Sequence, residues 1–510
     1  MANNLVGRFP PSIANLTNLY QLDIRYNELT GPIPSNVRGL QNLKILSLSN
    51  NLLFGTLPSC LFHHPNLTEL DLSNNQFTGQ MVDFQENSWL SELTLPYNQL
   101  HGPIPKSIST LRNLAVLDLS SNNLSGIVEP NMFLNLTTLE NLLLSDNSLL
   151  RRTSDNNGNI SFHNLSYLQL TYCGIKEFPD FLRNSKNLEV LQLSKNNIQR
   201  ILSWFTSMAL DSLRYLNLSH NSLSSMIQFQ PTWKSLLGLG FQWNQLRGTL
   251  PLSICNLEAL RVVDLSNNKL SGAIPQCFGH FSRELMVLNL KNNDLQGSIA
   301  MTFATSSKLR NLDFIGNHLE GSLPRSLANC EYLEVLDIGN NNINDTFPVW
   351  LENLKELQVL ILKSNRFFGP IGDILKTGNH FGKLKVIDIS NNEFSGSLPT
   401  RLLNSLRIVL KGLEIELPAI LTTLTSIDVS NNSFSGEIPQ VIGNLVVPKL
   451  LNLSHNRFFG HIPPTLLNLA CLLQSNPGRD SKSAYIAHIT CILKSITEST
   501  RGANPSGSPI

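Results

Sequence analysis

The sequence contains little charge and no catalytic signature. Lys, Arg, Asp and Glu together make up 15% of the 510 residues, and the formal net charge is +1. Recruitment of nucleic acid or of an acidic membrane by charge needs a strong positive excess, so the composition argues against both partners. The chain has no Walker loop, no GxSxG elbow and no HExxH pair. We therefore expect a protein that is not an enzyme and has no catalytic residues.

Cysteines are few, and their spacing suggests no metal site. None of the seven forms a CxxC pair or a Cys/His spacing typical of zinc, so we expect neither a metal ion nor a cofactor. An odd number rules out complete pairing within the chain. Cys255, Cys277 and Cys330 fall at apolar positions, and we interpret them as buried thiols.

Long apolar runs are also missing. The stretch around residues 484 to 493 contains His488 and is far shorter than the ~20 residues that a membrane helix needs. The first residues lack the charged stretch, apolar run and cleavage site of a secretory signal. The sequence thus predicts no membrane span and no signal peptide in this chain. Leu5, Gly7 and Pro10 already match the second half of a repeat, so we interpret both ends as truncations of a longer repeat protein.

One pattern recurs about every 24 residues and determines the architecture. Its clearest copy reads LRVVDLSNNKLSGAIP over Leu260–Pro275, which gives the template LxxLxLxxNxLxGxIP, with positions numbered here from the first leucine. Such a fixed period indicates a leucine-rich-repeat solenoid, in which each unit is stabilised by its neighbours. Eighteen copies start at residues 19, 43, 67, 90, 114, 139, 165, 188, 213, 236, 260, 285, 309, 333, 357, 384, 424 and 448.

Strand geometry assigns a role to each template position. Val263 and Leu265 alternate with Asp264, so the two apolar side chains point inward and the aspartate outward. Stacked copies predict an α/β fold, a curved, superhelical solenoid with a parallel β-sheet on its concave face. We expect side chains at positions 2, 3, 5, 7 and 8 to be exposed on that face.

Position 9 forms a ladder of amides. Seventeen of its eighteen residues are Asn, and the exception is Cys173. A short amide can satisfy backbone groups where the chain turns inward, and an unpaired buried group would cost about 1 to 3 kcal/mol. Cysteine is an accepted substitute at this position, so we interpret Cys173 as structural.

Position 5 carries aspartate in many copies. Because these aspartates repeat regularly, we interpret them as a scaffold feature and not as paired acid/base groups. They are Asp23, Asp71, Asp118, Asp264, Asp313, Asp337, Asp388 and Asp428.

Several segments resemble plant receptor proteins. LTGPIP at 29–34, LHGPIP at 100–105 and FSGEIP at 434–439 are similar to the plant-specific class of this repeat. LEVLDIGNNNINDTFPVWL, FFGPI, KGLEIEL and SGEIPQVIGNL, in that order, resemble a plant leucine-rich-repeat receptor-like protein of the kinase-lacking, disease-resistance type. On this basis we predict repeats over residues 1–404, a shortened island over 405–423, the last repeats over 424–472 and an irregular tail over 473–510.

The resemblance implies a function as well as a fold. It implies an extracellular, plasma-membrane-associated ectodomain that binds a peptide, glycan or microbial protein on its concave face. Such proteins act in defence or developmental signalling through a partner co-receptor kinase. Two alternatives stay open: a secreted inhibitor resembling the polygalacturonase-inhibiting proteins, and a receptor fragment without function.

Large side chains interrupt the small polar groups of the predicted concave face. Exposed aromatic groups suit binding because they bury much area with little loss of side-chain entropy. The alternative interpretation is a set of solvated positions that carry aromatic residues by chance. The island remnant is a second candidate contact, or simply a connecting loop. The candidate ligand-binding residues are Tyr97, Tyr167, Tyr172, Lys195, Tyr215, His220 and Trp243.

Ten Asn-x-Ser/Thr sequons favour a secreted setting. Asn217 and Asn452 lie between core leucines of a strand, so we do not expect them to carry glycans. The expected acceptors are Asn15, Asn66, Asn123, Asn135, Asn159, Asn164, Asn344 and Asn431.

Overall fold

A computed structural model describes residues 4–86, 88–128, 130–133, 135–151, 162–280, 284–299, 302–305, 307–371, 381–400, 426–444 and 450–466. The predicted island at 405–423 and the predicted tail at 473–510 lie outside the described residues. The chain divides into two compact units, residues 1–247 and 248–510, which are described separately.

The main sheet of the first unit contains one three-residue strand from each repeat. Each strand pairs in parallel with the strand of the next copy, and equivalent template positions lie side by side, as Leu22, Leu46 and Leu70 do. This register confirms the predicted parallel sheet. The strands are Gln21–Asp23, Ile45–Ser47, Glu69–Asp71, Glu92–Thr94, Val116–Asp118, Asn141–Leu143, Tyr167–Gln169, Val190–Gln192, Tyr215–Asn217 and Gly238–Gly240.

The second unit repeats this arrangement. Strand Val386–Asp388 pairs directly with Ser426–Asp428, so the lengthened copy between them does not interrupt the ladder. The main-sheet strands of this unit are Val262–Asp264, Val287–Asn289, Asn311–Asp313, Val335–Asp337, Val359–Ile361, Val386–Asp388, Ser426–Asp428 and Leu450–Asn452.

A second set of parallel strands comes from the LxGxIP half of the repeat. The repeat glycine there has a positive φ, for example 85° at Gly31, a conformation that side-chain-bearing residues rarely adopt. In the first unit these strands are Val6–Arg8, Glu28–Gly31, Leu52–Thr56, Gln76–Gly79, Gln99–Gly102, Asn123–Val128 and Ser148–Arg151. In the second they are Lys269–Gly272, Asp294–Ser298, His318–Gly321 and Asn342–Ile343, then Phe368–Pro370, Glu393–Gly396, Ser433–Glu437 and Arg457–Phe459. Strand Arg247–Thr249 contains the division between the units.

The copies that start at 165, 188 and 213 have no such second strand in the part of the chain that is described; a single bridge joins Ser225 to Arg247. These copies also lack the LxGxIP motif. The copy at 139 lacks the motif too but keeps strand Ser148–Arg151, which pairs with Asn123–Val128. The repeat glycine is absent from all three copies that lack the second strand, whereas the copy at 165 keeps a proline, Pro179, before its 3₁₀ turn.

Short helical turns connect the strands on the side opposite the main sheet. Most follow a proline that caps the turn in an extended conformation, for example φ −66° and ψ 141° at Pro34, and that cannot donate to the preceding ladder. The 3₁₀ turns are Pro11–Asn15, Ser35–Gly39, Lys106–Thr110, Pro130–Phe133, Asp180–Asn184, Leu252–Asn256, Arg325–Asn329, Val349–Asn353, Gln440–Asn444 and Pro464–Leu466. The α-helical turns are Ser59–Phe62, Ser203–Thr206 and Cys277–His280.

The core consists of the apolar template positions. Val263 and Leu265 are fully buried while Asp264 is partly exposed, as strand alternation predicts. Full burial of one such side chain contributes roughly 1.5 to 3 kcal/mol, and the contribution recurs in each copy. The amide ladder is present as well. Asn51 donates to the carbonyls of Ile24, Leu48 and Ser49 and accepts the N–H of Leu29 at 3.0 Å.

The prediction of three buried thiols was wrong for two of them. Cys255 and Cys277 form a disulfide across 22 residues. Their positions differ by about one repeat, so stacking brings them to adjacent turns. Cys330 is buried and free, as predicted, and burial raises the pKa of its thiol to about 11.

The prediction that position 7 is exposed was also wrong for many copies. Ser49, Ser145 and Ser219 are buried, because the chain turns inward directly after them. In several copies the position-5 aspartate bonds this turn: Asp118 accepts both the N–H and the hydroxyl of Ser120, at 3.0 and 2.5 Å. The aspartate column therefore has a structural task, in agreement with its regular repetition.

Candidate functional site

Position 8 has one backbone conformation throughout the solenoid. All eighteen residues at this position have a positive φ, between 51° and 58° in every copy except Gly316, where φ is 71°. Glycine and asparagine adopt this left-handed region most readily, whereas other residues pay roughly 1 to 2 kcal/mol. Seven copies carry Asn here: Asn50, Asn74, Asn267, Asn292, Asn340, Asn391 and Asn431.

Five of the seven predicted ligand-binding residues occupy this strained position. Tyr97, Tyr172 and Trp243 are 60%, 64% and 55% exposed, and Lys195 and His220 are also exposed. A large side chain in the left-handed region, held in solvent, lacks both a favourable backbone and a buried contact. Such outliers mark sites where a sequence keeps a residue for a reason other than stability.

The structure brings four of these residues together and leaves one apart. Tyr172, Lys195, His220 and Trp243 lie in consecutive copies, whose strands pair in register. They form one continuous row, which we call the aromatic column. The rings of His220 and Trp243 are stacked, with centroids 5.7 Å apart and planes 11° from parallel. Tyr97 stands three copies before Tyr172, with Ser121 and Asp146 at position 8 of the two copies between them.

The two predicted residues at position 3 differ in environment. Tyr167 is half-buried, and its hydroxyl accepts a bond from Gln192 Nε2 at 3.5 Å. Tyr215 is 46% exposed, and its ring lies over Gly238 of the next strand. Val190 stands between the two tyrosines in the same row. Both tyrosines therefore lie on the same surface as the aromatic column. They stand at position 3, and the column stands at position 8, so position 5 lies between the two rows.

Neutral amides and glycine replace aspartate at position 5 of these copies. The row contains Gln169, Gln192, Asn217 and Gly240. Position 7 carries neutral groups as well, and the hydroxyls of Thr171 and Ser194 are 3.1 Å apart. No carboxylate occupies positions 3, 5, 7 or 8 in any of the four copies. The signal in the sequence that could have predicted this neutral strip is the absence of aspartate from position 5 of these four copies.

Elsewhere the position-5 carboxylates are close to one another. Asp313 and Asp337 lie directly opposite on paired strands, and Asp337 is only 9% exposed. Burial, with the nearby Asp313 charge, raises the pKa of Asp337 to about 6. Burial also raises the pKa of Asp313. Among the described residues, no group of three or more His, Cys, Asp or Glu side chains could hold a metal ion.

An apolar cavity of about 40 Å³ lies in the core next to the aromatic column, and its lining includes Leu144, Leu170 and Cys173. Burial raises the pKa of Cys173 to about 12, so its thiol stays protonated at neutral pH. The Cys173 thiol donates to the carbonyl of Leu144 at 3.3 Å. These contacts support the structural interpretation of Cys173.

Most expected glycan acceptors are exposed. Asn159 lies outside the described residues. Asn66 and Asn164 use Nδ2 to donate to the carbonyls of Gln41 and Thr137, each at 2.8 Å. Asn431 stands at position 8 and so belongs to the strand face, the surface formed by positions 2, 3, 5, 7 and 8. The exposed acceptors are Asn15, Asn66, Asn123, Asn135, Asn164, Asn344 and Asn431.

Comparison with protein families finds the leucine-rich repeat along most of the chain. One model of this repeat matches residues 13–77, 88–149, 163–223 and 307–367. A second matches residues 259–281, 383–405, 423–445 and 449–469. Among the described residues, no helix is both long and apolar enough to cross a membrane.

Several curated relatives are plant receptor-like proteins. Receptor-like protein 53 of Arabidopsis thaliana is 37% identical over 277 residues, which cover 54% of this chain and 28% of the relative. Receptor-like protein 7 of the same plant is 46% identical over 261 residues, covering 46% of this chain and 27% of the relative. The matches thus span little more than a quarter of these relatives.

Solved structures of plant receptor ectodomains share the fold. The ectodomain of the Arabidopsis thaliana receptor kinase GASSHO1/SCHENGEN3, in complex with CASPARIAN STRIP INTEGRITY FACTOR 2, superposes with a TM-score of 0.79 at 31% identity, covering 91% of this chain and 53% of that one. The Arabidopsis receptor kinase HAESA, in complex with the peptide hormone IDA and the co-receptor SERK1, gives 0.71 at 28%, covering 93% of this chain and 79% of that one.

Proposed function

This chain belongs to the plant leucine-rich-repeat receptor-like proteins, and we propose that it recognises an extracellular ligand with the strand face of the copies starting at 165 to 236. The aromatic column is the observation that carries the proposal. Its four side chains are large, exposed and consecutive, and each occupies a backbone conformation that disfavours it. Recognition here consists of surface complementarity, without a chemical step.

Exposure and strain point to the same conclusion. Tyr172, Lys195 and Trp243 cost the fold several kcal/mol in total, at roughly 1 to 2 kcal/mol each, and His220 costs less because histidine adopts this region more readily. Asn occupies the same position in seven other copies, so the repeat accommodates a cheaper residue. Aromatic side chains contribute disproportionately to binding because they bury a large rigid area. A contact surface accounts for both the size and the location of these residues.

The similar structures support a receptor role. The GASSHO1/SCHENGEN3 ectodomain was solved with CASPARIAN STRIP INTEGRITY FACTOR 2, and the receptor kinase HAESA was solved with the peptide hormone IDA and the co-receptor SERK1. By analogy, the chain would act at the extracellular face of the plasma membrane and signal, in defence or development, through a partner receptor kinase. The sequons and the disulfide are compatible with a secreted setting, since disulfides persist in oxidising compartments.

Binding of a natural ligand by matched variants tests this proposal. The chain is produced by secretion from plant cells, immobilised, and exposed to size-fractionated apoplastic fluid and microbial culture filtrates, with binding read by interferometry. The test variant combines Tyr172→Asn, His220→Asn and Trp243→Asn. Tyr26→Asn is the control, because Tyr26 has the same template position, a φ of 56° and 58% exposure but lies outside the aromatic column.

We expect at least one fraction to bind the parent and the control equally and the triple variant at least about ten-fold more weakly, because three ring contacts are lost. Equal binding by all three proteins would contradict the proposal, as would the absence of any fraction that binds the parent.

A further inference from the structure

The surface beside the aromatic column is a flat platform made of a ring and amides. Strand Gly238–Gly240 has no side chain at position 3 or 5. A β-carbon at residue 238 would lie 2.7 Å from Cδ1 of Tyr215, so the Tyr215 ring covers this glycine. A β-carbon at residue 240 would lie 3.1 Å from Asn217 Oδ1 and 3.2 Å from Gln242 Oε1. Side chains from neighbouring positions therefore lie across the strand.

The amides of this platform keep unused hydrogen-bonding groups. Asn217 Oδ1 accepts the N–H of Ser219 at 3.1 Å, whereas its Nδ2 has no partner among the described residues. Gln192 donates to Tyr167, and its Oε1 accepts nothing from the same part of the chain. The Oε1 atom of Gln242 is buried, so Nε2 is the amide atom that could contact a ligand. One free acceptor, on Gln192, and two free donors, on Asn217 and Gln242, thus lie along one neutral strip of the described residues.

We infer that this platform binds an oligosaccharide, with sugar rings lying on Tyr215 and against the aromatic column and hydroxyls bonded to the amide strip. The inference rests on the proposed function and names the chemical class of its ligand. Sugar hydroxyls both donate and accept, so they suit amides whose free ends are of both kinds. The apolar faces of a pyranose suit exposed aromatic rings.

The geometry favours a sugar chain over a peptide. Neighbouring strands are about 4.8 Å apart, so the aromatic column presents one side chain at about that interval. One pyranose ring is of similar length, whereas like-facing residues of an extended peptide recur about every 6.6 Å. A proline-rich peptide has few N–H groups and would leave the free oxygen of Gln192 unpaired. Charged peptide side chains would meet one cation, Lys195, and no carboxylate on these four positions.

Lys195 should make the platform bind acidic sugars more tightly than neutral ones. In the described part of the chain it has no carboxylate within ion-pair distance, and it lies between Tyr172 and His220 in the column. An unpaired cation there favours a ring with a carboxylate, so a uronic-acid chain should bind more tightly than a neutral one. Replacement of Lys195 by a neutral residue tests this preference for uronic acids and leaves the aromatic rings in place.

Calorimetric titration of the purified chain with cellohexaose, with hexagalacturonate and with a pool of random tyrosine- and proline-rich peptides tests the inference. We expect hexagalacturonate to bind best and cellohexaose to bind detectably. Lys195→Met should remove the difference between the two sugars. Trp243→Asn should weaken both by about ten-fold, as loss of a central aromatic contact does.

Gly238→Ala provides the sharper variant, because it displaces the Tyr215 ring without removing any hydrogen-bonding group. It should weaken the binding of both sugars by about five-fold or more, because the Tyr215 ring can no longer lie over residue 238. Gly339→Ala is its control: it adds a β-carbon 3.0 Å from Lys363 Cγ on the strand face of the other unit. Circular dichroism and the unfolding midpoint show that each variant is folded before its binding is compared.

Failure to bind either hexamer, or binding that Trp243→Asn and Gly238→Ala leave unchanged, overturns the inference. Peptide binding that depends on Trp243 overturns it as well, while leaving the proposed recognition function standing. If neither sugars nor peptides bind and no natural fraction depends on the aromatic column, both proposals fall together.

Discussion

In the copies that start at 19 to 114, position 5 carries aspartate, serine or threonine, and large residues at position 8 stand alone. Tyr26 is followed by Asn50, and Tyr97 stands between Asn74 and Ser121. In the copies that start at 165 to 236, position 5 carries amides or glycine and position 8 carries four large residues in succession. We call these the N-terminal block and the aromatic block.

Both blocks share the backbone of the main sheet and of the turn that follows each main strand. Their main strands have the same length and register, and position 8 has the same left-handed φ in each. The core leucines and the amide ladder are likewise common to both. Within the residues that the structure describes, the copies at 165 to 213 also lack the second strand that the N-terminal block has, but the main strands and the core are kept. The repeat thus separates its stabilising core positions from the second strand and the surface side chains, which vary.

Loss of a ladder amide should have the largest effect, and a larger one in the aromatic block. Asn196 accepts the N–H groups of both Cys173 and Ile175 at 3.0 Å, whereas Asn51 in the N-terminal block accepts one. We expect Asn51→Ala to lower the free energy of unfolding by about 3 kcal/mol, and Asn196→Ala by about 1 to 2 kcal/mol more, because one further buried donor loses its acceptor. Urea unfolding measures both.

Equal losses in the two variants would contradict this prediction. Asn50→Ala serves as the control in that experiment: no described residue bonds the Asn50 side chain, so only the left-handed φ of 56° disfavours alanine, at a cost of about 1 kcal/mol.

The aspartate column should give the protein a pH dependence that the amide column lacks. Burial raises the pKa of Asp337 to about 6, so between pH 4 and 6 the folded chain binds more protons than the unfolded chain, and stability falls as pH rises. Two pKa units correspond to about 3 kcal/mol. Asp337→Asn should remove this loss and stabilise the protein at pH 7 by up to that amount, measured by unfolding at pH 4, 5, 6 and 7.

Asp71 is the opposing control in the same column. Burial opposes ionisation there, but hydrogen bonds from Ser73, Ser49 and Ser47 outweigh burial and lower the pKa of Asp71. Asp71→Asn should therefore destabilise the protein at pH 7 and matter less as the pH falls through the folded pKa. If the free energy of unfolding of Asp337→Asn changed with pH as much as that of the parent, Asp337 would not be the source of the pH dependence.

Exchange of side chains at position 8 between blocks should change stability in opposite directions. Tyr172→Asn relieves a left-handed tyrosine that is 64% exposed, so we expect a gain of about 1 kcal/mol. Asn50→Tyr places a tyrosine in the same conformation and should cost about 1 kcal/mol. Thermal unfolding of the two variants and the parent measures both. A loss of stability in Tyr172→Asn would show that the aromatic column is kept for packing.

Much of this fold could be predicted from the residues, because leucine spacing fixes both the strand and its inward face. The candidate residues Tyr172, His220 and Trp243 were identifiable because exposed positions are known once the period is known. Their adjacency also follows from the period, since all three stand at position 8. The left-handed backbone was encoded more weakly, by the frequency of Asn at that position.

Other features depend on contacts between copies. The Cys255–Cys277 disulfide joins residues at different template positions, so the period alone does not pair them. Burial of Asp337 depends on its neighbours, including Asp313 on the paired strand and the backbone N–H of Gly339, which it accepts at 3.0 Å. The Tyr215 ring lies over Gly238 only because one copy carries a tyrosine and the next copy carries a glycine at the same template position. Such features arise from pairs of copies and not from the template.

The ion pair at the edge of the aromatic block should contribute least. Arg214 Nε and Glu189 Oε2 are 3.4 Å apart, and both side chains are about half exposed. Solvent screens such a pair, so we expect a coupling energy below about 0.5 kcal/mol in a double-mutant cycle of Glu189→Gln and Arg214→Gln. Ligand binding by each variant should equal that of the parent. A coupling above about 1 kcal/mol would mean that charge, and not only rings and amides, distinguishes the two blocks.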